Sequence, residues 1–228
     1  MIGVTFGDKH SFDDFGIYLT SKTINPPEPQ TNTISVPLRD GSIDLTESLT
    51  NDVKYNDRKI NMTFSVIHPM EQWSDKVSEI ENYLHGKRMK VVFDDDQNFY
   101  YMGRLKVNEW SSQKSIGKLV IECIADPYKY DIQGDWLWDP FDFENDCISE
   151  SENIIVSGST SVVIVGKRKK AYPTITASAA MSVSYNGTTY NLTEGINKLY
   201  EMILDEGENT LTFNGSGSVL IEYTGGSL

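Results

Sequence analysis

The chain has 228 residues, 39% of them hydrophobic, and carries 33 Asp and Glu against 20 Lys and Arg, a formal net charge of −13 at pH 7. That length supports one large core or two of ordinary size, and two domains are the first expectation. The acidic surplus argues against a protein that wraps DNA or RNA, because most of its surface repels phosphates, but it allows DNA to pass an acidic wall without being held.

The chain starts MIGVTFGDKHSFDD, with no basic segment leading into an apolar one, and no window approaches the roughly 18 apolar residues of a membrane span. The expectation is a soluble, unprocessed chain. Thr5-Phe6 and Ile17-Tyr18-Leu19 read as the first strands. Ile34, Val36 and Leu38 then alternate with Thr33, Ser35 and Pro37, and Ile43 and Leu45 alternate with Ser42, Asp44 and Thr46. Between them, Arg39-Asp40-Gly41 supplies a turn: Gly41 takes positive φ at little cost and Asp40 can bond nearby backbone N–H groups. The stretch from Arg39 to Leu49 therefore reads as a structural hairpin. Its order is not the Arg-Gly-Asp of adhesive loops.

In KYNDRKINMTFSVIHP, Ile60, Met62, Phe64 and Val66 form one face and Asn61, Thr63 and Ser65 the other, the signature of a half-buried strand. The spacing predicts one clear helix from Pro69 to about His85, with Trp73, Val77, Ile80 and Leu84 on its apolar side and Gly86 beyond its end. This helix is expected to cover the apolar face of a sheet. Two strands around an acidic turn at Asp94, Asp95 and Asp96 follow, then a long strand carrying Leu119, Ile121 and Cys123. The first domain is thus read as 1–130, antiparallel β with one covering helix.

Residues 131–153 are rich in Asp and Glu, contain Trp136, Trp138, Phe141 and Phe143 and no Lys or Arg, and read as a linker or the first part of the second domain. From 154 to 228 the pattern is all β, with turns predicted at Asn186-Gly187, Glu206-Gly207 and Gly215-Ser216-Gly217. Such spacing predicts a β-sandwich. The fold class is mainly β: an α+β first domain and a β-sandwich second.

Catalytic chemistry finds little support. Asp94 to Asp96 sit at a turn where solvation makes carboxylates cheap, and they lack the ligand pattern of an EF-hand. His10, His68 and His85 are dispersed, Cys123 and Cys147 form no CxxC pair, and no phosphate loop, nucleophile elbow or HExxH helix is present. No enzyme, metal site or cofactor is expected. Both cysteines read as thiols, Cys123 as a small buried hydrophobe. Sequons at Asn61, Asn186, Asn191 and Asn214 are of a frequency expected by chance. The basic run Lys167, Arg168, Lys169 and Lys170 reads as a solvated turn or a contact patch for an acidic neighbour.

The segments from SVPLRDGSIDL through the helix and hairpin to IADPYKY resemble the N-terminal domain of the siphophage distal tail protein family, and YPTITASAAMSVSYNGTTYNLTEG with GENTLTFNGSGSVLIEY is similar to its galectin-like sandwich. Arg39, Asp40 and Gly41 with Asp44 match the family's turn, Tyr55 with Arg58 its Tyr-x-x-Arg step, and Asp126 with Tyr128 its domain-closing Ala-Asp-Pro-Tyr. Tyr172-Pro173-Thr174-Ile175 and Glu208-Asn209-Thr210 match landmarks of the second domain. The resemblance implies a structural hub at the distal end of a phage tail in the virion, assembled in the bacterial host cytoplasm. Its N-terminal domains would close a hexameric ring that joins the tail tube to a baseplate, tip fibre or receptor-binding protein and lets DNA pass. The alternative is a carbohydrate-binding or receptor-adhesion module acting through the second domain.

Overall fold

The computed structural model describes residues 3–48, 51–66, 69–113, 116–132 and 149–228. Expectations resting on Leu49, His68, Cys147 and the aromatics Trp136, Trp138, Phe141 and Phe143 lie outside the described residues. The chain is mainly β, with antiparallel sheets and, among the described residues, one α-helix. It divides into two compact units, 1–129 and 130–227, with Leu228 assigned to the first.

In the first unit, β1 (Val4–Phe6), β2 (Lys9–His10), β3 (Ile17–Ile24), β4 (Thr33–Ser35), β5 (Ser42–Asp44) and β6 (Arg58–Val66) precede the helix α1 (Trp73–Leu84). After it come β7 (Arg88–Phe93), β8 (Phe99–Gln113) and β9 (Ile116–Ala125). One antiparallel sheet runs in the order β2-β1-β7-β8-β9-β6-β3, while β4 and β5 form a separate two-stranded ribbon. Alternation decides which side chains go inside. Ile60, Met62 and Phe64 of β6, Leu105 of β8 and Leu119, Ile121 and Cys123 of β9 are wholly buried. The helix adds Trp73, Val77, Ile80 and Leu84 to the same cluster, and Trp73 meets Trp110 edge-on at 5.6 Å. The apolar stripe thus covers the sheet as the spacing predicts, although regular helix begins at Trp73. A 3₁₀ turn at Met70–Gln72 comes first, closed by the Gln72 N–H donating to the Pro69 carbonyl at 2.9 Å.

In the second unit, β10 (Tyr130–Asp131) is followed by β11 (Ser149–Gly166), β12 (Thr174–Ala177), β13 (Met181–Tyr185), β14 (Thr188–Leu192), β15 (Gly195–Lys198) and β16 (Gly207–Tyr223). The long strands β11 and β16 pair along their lengths. On its other edge, β16 pairs with β13 over its first half and with β12 over its second. One ribbon therefore supplies a strand pair to both halves of the unit. Gly215-Ser216-Gly217, expected to be a turn, lies where these halves meet, and β16 runs through it without a break. Gly215 and Gly217 hold φ of 153° and 149°, opposite Gly158 and Val156 of β11. A Cβ on Gly215 would come within 2.5 Å of the Met181 Cβ. The ladder therefore continues through the glycines instead of ending at them. Val183, Leu211, Phe213, Val219 and Ile221 lie in the one buried core of this unit.

Candidate functional site

Sequence-marked residues gather where β6 begins and β9 ends. Arg58 pairs in register with Ala125, which brings Tyr55 and Arg58 against 126–128 across nearly seventy positions of chain. Arg58 is 4% exposed, and its Nε donates to the Pro127 carbonyl at 2.8 Å while Nη2 donates to the same oxygen. Its guanidinium lies 5.3 Å from the centre of the Tyr101 ring. Burial lowers the Arg58 pKa, and the same burial raises that of the Tyr101 phenol. Tyr55 and Tyr128 meet edge to face at 6.1 Å, and Asp126 accepts two hydrogen bonds from Arg88 Nη2 at 2.7 Å. This constellation fastens the end of one strand to the start of another and holds no reacting pair of groups.

Arg39, Asp40 and Gly41 lie apart from it, in the exposed loop joining β4 to β5. Ile34 pairs with Ile43 as a hairpin requires, and Gly41 takes φ of 76°. Asp44 accepts from the Thr46 N–H at 2.9 Å and the Thr46 hydroxyl at 2.5 Å, contacts that hold its carboxyl below the usual range. Arg39 makes no ion pair with a described residue. The apolar side chains of this ribbon stay outside the core: Ile34, Val36 and Leu38 are 48%, 38% and 109% exposed.

The basic run of the second unit is matched by acids of that unit. Lys167 pairs with Asp131, Lys170 with Asp205 at 2.9 Å and Arg168 with Glu206 at 3.8 Å, while the Lys169 ammonium lies 4.8 Å from the centre of the Tyr130 ring. The acidic turn of the first unit is likewise engaged, while Asp95 stays exposed as expected of a solvated turn. His10 faces Asp94 at 3.3 Å, Lys22 pairs with Asp95 and Lys129 with Asp96 at 3.4 Å. Three carboxylates adjacent in sequence thus tie the β7–β8 turn to three other segments.

Sequence reasoning missed a mixed-charge groove of about 520 Å³ on the outer face of the first sheet, where Arg104, Lys106, Glu122, Ile124 and Asp126 line it beside His85 and Asp57. Its signal was present: Arg104 and Lys106 alternate with the buried Leu105 and Val107. Lys59 pairs with Glu122, and its ammonium holds that carboxyl below the usual range. The His85 Nδ1 accepts from the Val107 N–H at 3.2 Å. Among the described residues no group of three or more His, Cys, Asp or Glu is placed to hold a metal ion. Cys123 is wholly buried, and that burial pushes its thiol up to about 12, which suits packing and opposes nucleophilic use.

The chain matches no protein-family model and no curated protein sequence. Its fold is that of a solved phage protein. The crystal structure of SPP1 Dit, described as a paradigm of the hub adsorption apparatus in phages infecting Gram-positive bacteria, superimposes with a TM-score of 0.70 at 13% identity, covering 98% of each chain. The resemblance stated from the spread motifs is thereby borne out as a shared fold over nearly the whole length.

Proposed function

We propose that this chain is a structural tail-hub protein of a long-tailed phage or prophage. Residues 1–130 form the ring domain and residues 154–228 a galectin-like sandwich. Six copies close a ring between the tail tube and a baseplate, tip fibre or receptor-binding protein at the distal end of the virion tail, and DNA passes through without being bound. The observation that carries this reading is the agreement with SPP1 Dit over 98% of both chains, which leaves no large inserted module unaccounted for. Two features of the chain agree with it. The β4–β5 ribbon holds apolar side chains outside its own core, as a segment completed by a neighbour does, and Arg39 is available for a carboxylate across a subunit boundary. The net charge of −13 suits a wall that DNA slides past.

The test is the solution mass of the purified chain by light scattering over a concentration series, with negative-stain imaging of the main peak. The expected result is a ring of about six times the 25.7 kDa chain mass. A chain that stays monomeric at every concentration and in the presence of tail-tube protein overturns the ring.

A further inference from the structure

The first unit presents two surfaces of opposite charge on opposite sides. Strand alternation places Arg104 and Lys106 of β8 and Lys118 of β9 on the outer face of the sheet, away from the cluster that α1 covers. Two carboxylates of this face are already met, Glu122 by Lys59 and Asp126 by Arg88. Arg104, Lys106 and Lys118 form no ion pair with a described carboxylate, although the Lys106 charge also helps to keep Glu122 ionised; Arg104 donates to the Gly86 carbonyl. Asp57 of the groove and Glu109 of β8, which its register with Val120 places on the same face, are the acids left to oppose them, so the cations of the face outnumber its open carboxylates. Ile124, 41% exposed, sits within this cationic face, so the patch has an apolar centre and a charged rim.

Beyond the sheet, α1 turns its outer side to solvent. Its apolar residues Trp73, Val77, Ile80 and Leu84 are spent on the core, and the exposed surface of the helix and its leading turn bears Glu71, Asp75, Glu79 and Glu81. The basic side chain of this surface, Lys76, pairs with Glu79 at 2.7 Å, and the last helical turn contains no basic residue.

We infer that the cationic outer face of the sheet in one copy receives the acidic outer face of α1 in the next, a heterologous contact that propagates head to tail; this rests on the ring reading above. A net-acidic chain repels copies of itself over most of its surface, so the contact that holds copies together falls where the charge is locally reversed. A cationic patch and an acidic patch on different sides of one domain satisfy that condition, and a contact between unlike patches is the kind that builds rings when its rotation closes. The occupant is a second copy of this chain.

The experiment compares the full-length chain with Lys106→Glu/Lys118→Glu, with Asp75→Lys/Glu81→Lys, and with all four changes combined. All four positions are exposed, and an unchanged melting temperature for each variant establishes that it folds. The readout is assembly mass against concentration at low and at 0.5 M salt. Each reversed face is expected to raise the subunit dissociation constant by about tenfold or more, the combined variant to regain assembly, and added salt to weaken the parent assembly. A parent ring unaffected by either reversal, or a combined variant that fails to reassemble, overturns this contact and leaves the ring standing. A parent chain monomeric under all conditions, tail-tube protein included, overturns the ring and this contact together.

Discussion

At the scale of single residues, two buried groups give opposite kinds of test. Arg58 is a cation removed from water and compensated by the Pro127 carbonyl and the Tyr101 ring. Replacing it with Met keeps much of the volume but leaves that carbonyl without its donor, so Arg58→Met is expected to cost about 1–3 kcal/mol in urea unfolding. An unchanged midpoint would show that the carbonyl finds water. Cys123 acts through protons. The unfolded thiol ionises near 9.0, whereas in the folded chain it does so at about 12, so unfolding above pH 9 releases a proton that the native state keeps. Its stabilising contribution is complete below pH 9 and is lost as the pH rises toward 12, by up to about 4 kcal/mol. Cys123→Ala should flatten this alkaline decline in melting curves taken between pH 8 and 11. Tyr83, Tyr101 and Tyr185, whose phenol pKa values burial also raises, leave a residual slope.

At the scale of elements, a device used twice holds the second unit's turns. Thr193-Glu-Gly-Ile-Asn197 and Asp205-Glu-Gly-Glu-Asn209 each end in an asparagine whose side chain folds back on its own turn. Asn197 Nδ2 donates to the Thr193 and Gly195 carbonyls at 2.8 and 2.9 Å, and Asn209 Nδ2 donates to those of Asp205 and Gly207 at the same distances. The Oδ1 of each accepts from the N–H four residues earlier, at 2.9 and 3.0 Å. The two differ in burial: Asn209 is 3% exposed and also receives the Tyr185 hydroxyl at 2.6 Å, while Asn197 is half-buried. Asn209→Ala should therefore cost about 2–3 kcal/mol and Asn197→Ala about 1 kcal/mol; equal losses by denaturant titration would show that burial does not set the difference.

These elements also show what sequence reading reaches. The period of two in Ile60, Met62, Phe64 and Val66 and the stripe Trp73, Val77, Ile80 and Leu84 announce a covered sheet because burial imposes those periods directly. The stretch from Gly215 to Gly217 reads as a turn because glycine signals an unusual φ without saying whether the ladder continues; Met181, the side chain that forbids a Cβ at Gly215, is remote in sequence. Tyr55-x-x-Arg58 and Asp126-Pro-Tyr128 stand out as separate motifs, and their meeting depends on the β6–β9 register. The partners of Asp94, Asp95 and Asp96 come from three segments, and a local pattern of carboxylates carries no trace of them.

At the scale of the whole molecule, the β4–β5 ribbon separates folding from assembly. Its alternation of Ile34 and Val36 with polar neighbours looks like that of any half-buried strand, yet both faces are exposed in the single chain. Exposed side chains contribute little to the stability of the unit that bears them, so Ile34→Ser/Val36→Ser/Leu38→Ser should leave the monomer's unfolding midpoint within about 0.5 kcal/mol of the parent. Burial of the same side chains against a neighbour would contribute about 25 cal/mol per Å² of apolar area withdrawn from water. If the proposed ring repeats the contact at every boundary, the triple variant is expected to assemble only at markedly higher concentration. Sedimentation velocity on both proteins over one concentration series reads the effect. A variant that assembles like its parent assigns the exposed ribbon to another partner, and one that unfolds early shows that these side chains support the fold of their own unit.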